Sequence, residues 1–310
     1  MNRRRGRVRK WRLRGRRAQV SAIATILGLL LVVTFIANYL TATLPNAMSV
    51  NDLNHVVLIE NQVGRLQALL QAASQDNAVL AQLTQPVTLG GQGIPPFASA
   101  DPAMIGPERN GSQFWLNYTL QGPLGAMAPT SIEASSGFNV HVVNTYLPQA
   151  DVALDEGGVV IAQPGGVPTM LDPPEISAVQ LTNGSYASFS VWLPIFVGNI
   201  SYESGVSTTE ITTRLLNLDT LSLSPSSTLS VKDHSSITLT IRSPFAGAWA
   251  GFFGSIADFA SQYTCTGPSA VCNGPYSSGG PLANVVLTIP TGVVLNTLYI
   301  QIATFAITVQ

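Results

Sequence analysis

The chain has 310 residues, enough for one large or two medium domains with a hydrophobic core. Its formal net charge of −1 hides a segregation of charge: residues 1–17 carry ten basic side chains and no acid, whereas residues 18–310 carry five basic and sixteen acidic side chains. Only 10% of the residues are charged, which favours β-structure outside the cell over a cytosolic helical enzyme.

The basic N-terminal segment is typical of a chain with a membrane or nucleic-acid partner. An uncharged run, residues 18–51, follows it at once and favours the membrane. A nucleic-acid surface would need its arginines on a folded surface with several aromatic side chains, and Trp11 alone does not supply one. We therefore expect no nucleic-acid partner.

Residues 20–40 form a continuous, predominantly apolar run that is long enough for one membrane span. A helix needs about 20 such residues to cross a lipid hydrocarbon core of roughly 30 Å. The basic residues on its N-terminal side predict a cytoplasmic N-terminus and an extracellular C-terminal domain. We predict a basic cytoplasmic leader at residues 1–18 and a single-pass transmembrane helix at 19–44, with the lipid bilayer as partner.

The residues leave several processing fates of this segment open. A cleaved secretory signal would have a shorter apolar core and would be cut near Ala42 or Ala47. A twin-arginine export signal would use Arg16 and Arg17, but the Ala-Gln-Val that follows is not the usual bulky apolar pair. An uncleaved signal anchor is the simplest alternative.

The stretch RRAQVSAIATILGLLLVV resembles the class III signal of archaeal type IV pilin-like proteins. The resemblance implies that a prepilin-type signal peptidase makes one cut, between Ala18 and Gln19, so that Arg17 and Ala18 end the leader. Gln19 then becomes the mature N-terminus. It also implies that the apolar helix stays on the protein and self-associates. Many pilins carry Glu at the fifth mature position, where this chain has Ile23, so the resemblance is weaker for filament assembly than for processing.

Residues 46–76 predict an amphipathic stalk helix, with Ser49 or Asn51 as its N-cap. Its apolar residues recur at spacings of three and four and form one stripe, consisting of Val56, Ile59, Val63, Leu66, Leu70 and Ala73. Two interpretations of this stripe remain open. It packs either against the protein's own β-domain or against neighbouring copies.

The segment QPVTLGGQGIPPFASA, residues 85–100, ends the helical pattern and marks a domain boundary. Short β-forming runs then recur between turn residues, among them SQFWLNYTL, FNVHVVNTYL, GGVVIAQ, SYASFSVWLPIFV, ITTRLLNL and NVVLTI. They predict an α+β chain whose extracellular domain, residues 85–310, is a mainly antiparallel β-sandwich or a set of sheets wrapped on the stalk. The uncharged run 291–309 is interpreted as a buried strand pair rather than a second membrane span.

One short helix interrupts the strands at SPFAGAWAGFFGSIADFA, with Ser243 as N-cap and Pro244 as first helical residue. Its aromatic stripe is predicted to be core, and comprises Phe245, Trp249, Phe252, Ile256 and Phe259. Together with PVTLGGQGIPPFASA and DEGGVVIAQ, the segment IRSPFAGAWAGFF resembles archaeal pilin-like envelope proteins with large extracellular β-domains. That resemblance implies no defined activity.

Two kinds of covalent site are expected on the extracellular side. Cys265 and Cys272, separated by a short Gly- and Pro-containing loop, predict a disulfide. Asn-x-Ser/Thr sequons are candidate glycosylation sites. They occur at Asn110, Asn117, Asn183 and Asn199, and the strand-like surroundings of Asn117 indicate burial.

No catalytic motif is present, and we expect neither an enzyme nor a cofactor. The three histidines, His55, His141 and His234, lie in unrelated segments. The acids of DVALDEGG and LDPPE could gather around calcium, but solvated turn acids are the preferred interpretation; these acids are Asp151, Asp155, Glu156, Asp172 and Glu175. The sequence thus predicts a pilin-like surface protein or filament subunit, with a non-polymerising, adhesin-like anchor as the alternative and a secreted hydrolase ranked below both.

Overall fold

The computed structural model describes most of the chain, namely residues 4–107, 111–118, 121–122, 125–126, 130–135, 137–181, 186–198, 200–223, 229–230, 237–257, 262–267, 272, 276, 281–289 and 294–310. Two compact units are present, residues 1–50 and residues 51–310. The first is helical. The second, which we call the head, is strand-rich and includes the helical residues from Asn51 onward. The predicted α+β class, with a long N-terminal apolar helix before a strand-rich domain, is confirmed.

The helical region comprises α1 (Arg4–Asn38), a π-helical turn (Tyr39–Thr43) and α2 (Leu44–Gln75). Hydroxyl side chains within the apolar run donate to carbonyls four residues earlier, as Thr25 does to Ser21 and Thr34 to Leu30. Their polar groups are therefore satisfied inside the helix.

The sequence predicted a new helix start at Ser49 or Asn51, and this was wrong. The helix continues through Pro45, and the Ser49 hydroxyl donates back to the Pro45 carbonyl at 2.8 Å instead of capping a free N–H. Proline removes one donor from the helical ladder, and the π-helical turn directly before it is the kind of irregularity that accommodates such a loss.

In the described residues, three sheets build the head. Sheet 1 contains β1 (Gln82–Thr88), β4 (Gln121–Gly122), β5 (Gly125–Ala126), β11 (Ile176–Leu181), β12 (Tyr186–Val197), β14 (Thr208–Leu223), β15 (Leu229–Ser230) and β19 (Val294–Val309). Sheet 2 has the order β10 (Thr169–Asp172), β9 (Gly158–Ala162), β8 (Ala150–Asp155), β7 (Gly137–Val142), β2 (Ala103–Pro107) and β13 (Glu203–Gly205). Sheet 3 has the order β17 (Gln262–Thr266), β18 (Ala283–Ile289), β16 (Ile237–Ser243), β3 (Gln113–Tyr118) and β6 (Thr130–Ala134).

Strand β19 organises sheet 1. It pairs antiparallel with β14 and parallel with β12, whereas the other pairings in the described residues are antiparallel. The predicted strand pair at 291–309 was wrong, because residues 294–309 form one 16-residue strand. In the first half of β19, the side chains of Leu298, Ile300 and Ile302 are buried. In the second half the alternate set is buried, namely Ala303, Phe305, Ile307 and Val309, whereas Tyr299 and Thr308 are exposed. Each half of the strand therefore contributes one apolar face to a core.

Two cores share the long strands of sheet 1. In one, sheet 3 and helix α3 (Ala246–Ile256) pack against the first half of β19 and against β12. In the other, sheet 2 packs with the second half of β19 and with the apolar stripe of α2. The stripe residues are buried, so of the two interpretations of the stripe the structure shows packing within its own domain.

Truncating Leu66 of this stripe is expected to destabilise the head by about 3 kcal/mol, because the change removes buried methyl groups and leaves a cavity. Leu66 is 0% exposed, whereas Leu58 on the same helix is 42% exposed. We expect Leu66→Ala to lower the denaturant midpoint of the full-length protein in mild detergent. Leu58→Ala, the matched control, should change stability by less than about 0.5 kcal/mol. Equal losses in both variants would contradict the docking of α2.

Candidate functional site

The apolar part of α1 exposes large side chains in all directions. Ten such side chains between Ile23 and Ile36 have exposed fractions of 46–69%, and the five consecutive residues 29–33 are among them. Consecutive helical residues point to different sides, so the helix is apolar all round, which is typical of a membrane span. In the described part of the chain, this is the one helix that is long and apolar enough to cross a membrane. The candidate functional region of the first unit is this surface.

The predicted processing residues Arg17, Ala18 and Gln19 lie within α1. Ile23, the first of the exposed large apolar side chains, is four residues after Gln19. Cleavage between Ala18 and Gln19 stays a prediction.

Cys265 and Cys272 form a disulfide, as their spacing predicts. Cys265 belongs to β17, and Cys272 is buried in the core beside α3. The bridge therefore ties an edge strand of sheet 3 to the hydrophobic core.

The acids of DVALDEGG are buried, not solvated, and this corrects the preferred interpretation of the sequence. Asp151 and Asp155 stand on β8, on the face opposite to Val152 and Leu154. Glu156 and Gly157 form the turn to β9, both with positive φ, as a two-residue hairpin with a type I′ turn requires. A side chain at Gly157 would collide with Trp192, whose ring lies 2.9 Å from the place of a Cβ.

Asp151 is held by three side chains from different parts of the head. Its Oδ1 accepts a hydrogen bond from Asn139 at 2.9 Å and lies 2.8 Å from Nδ1 of His141, while its Oδ2 accepts from the Tyr276 hydroxyl at 2.8 Å. Burial raises the pKa of Asp151, but the hydrogen bonds from His141, Tyr276 and Asn139 outweigh it and hold the pKa below its ordinary value. Asp151 is thus an ionised group that holds strand β7 and the Tyr276 side chain.

Asp155, on β8, connects sheet 2 to the start of α3 through hydrogen bonds. Its Oδ2 accepts hydrogen bonds from the Ser243 hydroxyl at 2.6 Å and from Nε1 of Trp249 at 2.8 Å. Burial raises the pKa of Asp155 although hydrogen bonds from Ser112, Ser243 and Trp249 oppose the shift.

The prediction of Ser243 as N-cap of α3 was wrong. Ser243 ends β16, Phe245 is the N-cap residue, and α3 begins at Ala246. The Ser243 hydroxyl accepts a hydrogen bond from the Phe245 backbone N–H at 2.9 Å and donates one to Asp155. Ser243 therefore connects the end of β16 to the buried carboxyl group of Asp155 and does not cap α3. Phe245, Trp249 and Phe253 form the buried aromatic side of the helix; Phe259 lies outside the described residues.

The other candidate ligands do not converge. Asp172 and Glu175 are exposed, and Glu175 accepts a hydrogen bond from Gln75 at 2.9 Å. His55 and His141 belong to separate clusters, and His234 lies outside the described part of the chain. Within that part, no group of three or more His, Cys, Asp or Glu side chains is placed to hold a metal ion.

A third buried cluster, Asp52–His55–Asp101, was not found from the sequence. Asp52 accepts from the backbone N–H groups of Tyr146 and Leu147 at 2.9 and 3.2 Å, and Asp101 accepts from the N–H and hydroxyl of Thr145 at 3.0 and 2.6 Å. The two carboxyl groups also share a hydrogen bond. Asp52 lies four residues before Val56, in register with the apolar stripe, and this was the signal that could have revealed it.

Burial, together with the neighbouring Asp101, raises the pKa of Asp52, although the backbone N–H groups oppose the shift. Burial lowers the pKa of His55, whose Nε2 lies 3.1 Å from the Thr88 carbonyl oxygen. The cluster therefore joins α2 to two loops of the head, and burial shifts the pKa values of Asp52 and His55 toward their uncharged forms.

Replacing Asp52 with Asn is expected to stabilise the head at neutral pH. Because the folded-state pKa of Asp52 is raised, Asp52 contributes stability at pH values below its unfolded-state pKa. This contribution is lost as the pH rises through the folded-state pKa. We expect Asp52→Asn to be more stable than the wild type at pH 7 and to have the same stability as the wild type at pH 3. The control is Asp101→Asn, which loses one of the two oxygens that bind Thr145 and should show no gain. Denaturant unfolding at both pH values checks this; a less stable Asp52→Asn at pH 7 would contradict it.

A surface groove of about 470 Å³ lies beside α3. It is lined by Val167, Met170 and Phe252 and by the small residues Gly247, Gly251 and Ser255. No titratable side chain is among the described residues that line it, and those residues make it a mainly apolar recess.

The sequon at Asn117 lies on β3, and its side chain is exposed, not buried as the sequence indicated. The sequons at Asn110, Asn183 and Asn199 lie outside the described residues.

Comparison with known proteins gives no family model, no curated protein and no solved structure that matches the chain.

Proposed function

We propose that the protein is a membrane-anchored, pilin-like cell-surface protein with a structural or interaction role. The observation that supports this most directly is the helix between Ile23 and Ile36, which exposes large apolar side chains on all sides and directly follows ten basic residues. Such a surface is stable in lipid or against copies of itself, and not in water.

The direction of insertion follows from charge. Basic residues flank the helix on its N-terminal side, so the N-terminus stays in the cytoplasm and the acidic head faces outward. The Cys265–Cys272 disulfide supports the same direction, because such bridges persist in oxidising surroundings.

Two forms of this function remain distinct. In the pilin form, a prepilin-type signal peptidase removes residues 1–18, and the helix that starts at Gln19 self-associates in a filament. In the anchor form, the leader stays and the head acts as a monomeric, adhesin-like binding protein. Ile23 favours the anchor form, since many pilins carry a Glu at the corresponding position.

The mature N-terminal residue separates the two forms. Mass spectrometry of protein purified from membranes is expected to give Gln19 as the first residue for the pilin form and Met1 for the anchor form. A start near residues 42–48 would mean a secreted protein and would contradict both.

Replacing Arg16 and Arg17 with Ala should block the cut after Ala18. Replacing Arg3 and Arg4 removes the same charge farther away and should not block it.

A further inference from the structure

Sheet 3 has one face in the core and one face toward solvent. On β3, Phe114 and Leu116 are buried in the core shared with sheet 1. Side chains alternate along a strand, so Gln113, Trp115 and Asn117 lie on the opposite face. Asn117 is exposed and Trp115 is only half-buried, outside the hydrophobic clusters formed by the described residues. A large aromatic ring is therefore placed on the solvent face, two residues before a sequon asparagine.

The neighbours of these two residues are mostly short and polar. Ser131 and Thr238 lie opposite Asn117 on the adjacent strands β6 and β16. Glu133 and Thr240 lie opposite Trp115 in the same way. Short hydroxyl side chains thus flank Asn117 on both sides, and the Asn117 side chain is exposed between them.

We propose that Asn117 carries an N-linked glycan whose first sugar packs on the ring of Trp115. The sequon Asn117-Tyr118-Thr119 supplies the acceptor amide. Residues i and i+2 of a strand lie on the same face at a separation of about 7 Å, so a sugar attached to Asn117 reaches the ring. The C–H face of a pyranose is apolar, and it covers an aromatic surface that would otherwise stay in contact with water.

The attachment is a group transfer from a polyprenyl-phosphate-linked sugar donor. The side-chain Nδ2 of Asn117 attacks the anomeric carbon, an N–C bond forms, and the C–O bond to the phosphate breaks. The polyprenyl phosphate leaves with the bonding electron pair, and one amide proton passes to a base of the transferase. This inference rests on the outward placement of the head proposed above, because such transferases act on that side of the membrane.

The test uses the full-length chain, expressed in a host whose oligosaccharyltransferase recognises Asn-x-Ser/Thr. Mass spectrometry of the peptide that contains Asn117 is expected to show one oligosaccharide in the wild type and none in Asn117→Gln. Enzymatic removal of the glycan should lower the Tm of the wild type by about 4 °C. The same treatment should leave the Tm of Trp115→Ala nearly unchanged, whereas Trp115→Phe, which keeps an aromatic ring, should retain most of the shift.

External protease digestion of intact cells separates the possible failures. If the protease removes the head but Asn117 is unmodified, the glycan site is wrong and the proposed membrane topology stands. If the head is protected, the proposed function and the glycan site both fail. If deglycosylation lowers the Tm equally in the wild type and in Trp115→Ala, the contact between the sugar and Trp115 is refuted.

Discussion

Replacing both Leu27 and Leu31 with Arg is expected to abolish stable membrane association of the full-length protein. Both side chains are more than half exposed on α1, within the apolar segment. An arginine near the centre of a transmembrane helix costs about 3 kcal/mol in insertion experiments. Two such residues cost about 6 kcal/mol, which corresponds to roughly four orders of magnitude in the insertion equilibrium.

The measurement is the fraction of protein that stays in membranes after alkaline extraction. The matched control carries Leu58→Arg and Leu171→Arg, two leucines of the head that are each 42% exposed. This control adds the same charge to the same type of residue, and it should stay in the membrane fraction. Retention of the Leu27 and Leu31 variant, or extraction of the wild type, would refute the membrane anchor.

In the first 80 residues, the sequence predicts the helices and the apolar stripe, but not the continuation of the helix through Pro45. Helix length, the absence of charge and the stripe from Val56 to Ala73 depend on neighbours along the chain, so the sequence predicts them well. The interruption expected at Pro45 did not occur, because one π-helical turn accommodates the proline. Proline is a strong local signal, but a long helix tolerates it where the adjacent turn is irregular.

The buried acids show what local patterns miss. The acids of DVALDEGG lack the spacing of an EF-hand, and the sequence therefore favours solvated turn acids over a calcium site. The structure places β8 between the core that contains the α2 stripe and a smaller hydrophobic cluster, so both faces of the strand are covered. The residues of this smaller cluster are Ala153, Val160, Ala162, Phe245, Ala248 and Tyr276. The side chains that satisfy Asp155 come from residues 88 and 94 positions later. No local sequence pattern contains a partner at such a distance.

Asp155→Ala is expected to destabilise the head by about 4 kcal/mol at pH 3, and by less as the pH rises toward the folded-state pKa of Asp155. The change removes the acceptor of three buried donors, the hydroxyls of Ser112 and Ser243 and Nε1 of Trp249. Each donor left without a partner costs about 1–3 kcal/mol, and the lost volume adds a cavity. Because Ser243 also accepts from Phe245, the loss should loosen the start of α3 before the rest of the head.

Asp155→Asn distinguishes the role of the oxygen from the role of the charge. An amide oxygen accepts from Ser243 and Trp249 as a carboxyl oxygen does, so we expect this variant to lie within about 1 kcal/mol of the wild type. Since burial raises the pKa of Asp155, its contribution to stability is present below the unfolded-state pKa and falls as the pH rises toward the folded-state value. Asn cannot ionise, so the variant should gain on the wild type as the pH increases from 3 to 7.

The difference between wild type and Asp155→Asn is the quantity to measure, by denaturant unfolding at several pH values. Asp151 has a lowered pKa and therefore gives the wild type an opposite slope, with stability lost as the pH falls. That slope is common to both proteins and cancels in the difference. If Asp155→Asn is as unstable as Asp155→Ala, the ionised carboxylate itself is required, and the hydrogen bonds from Ser243 and Trp249 must outweigh the burial that raises its pKa.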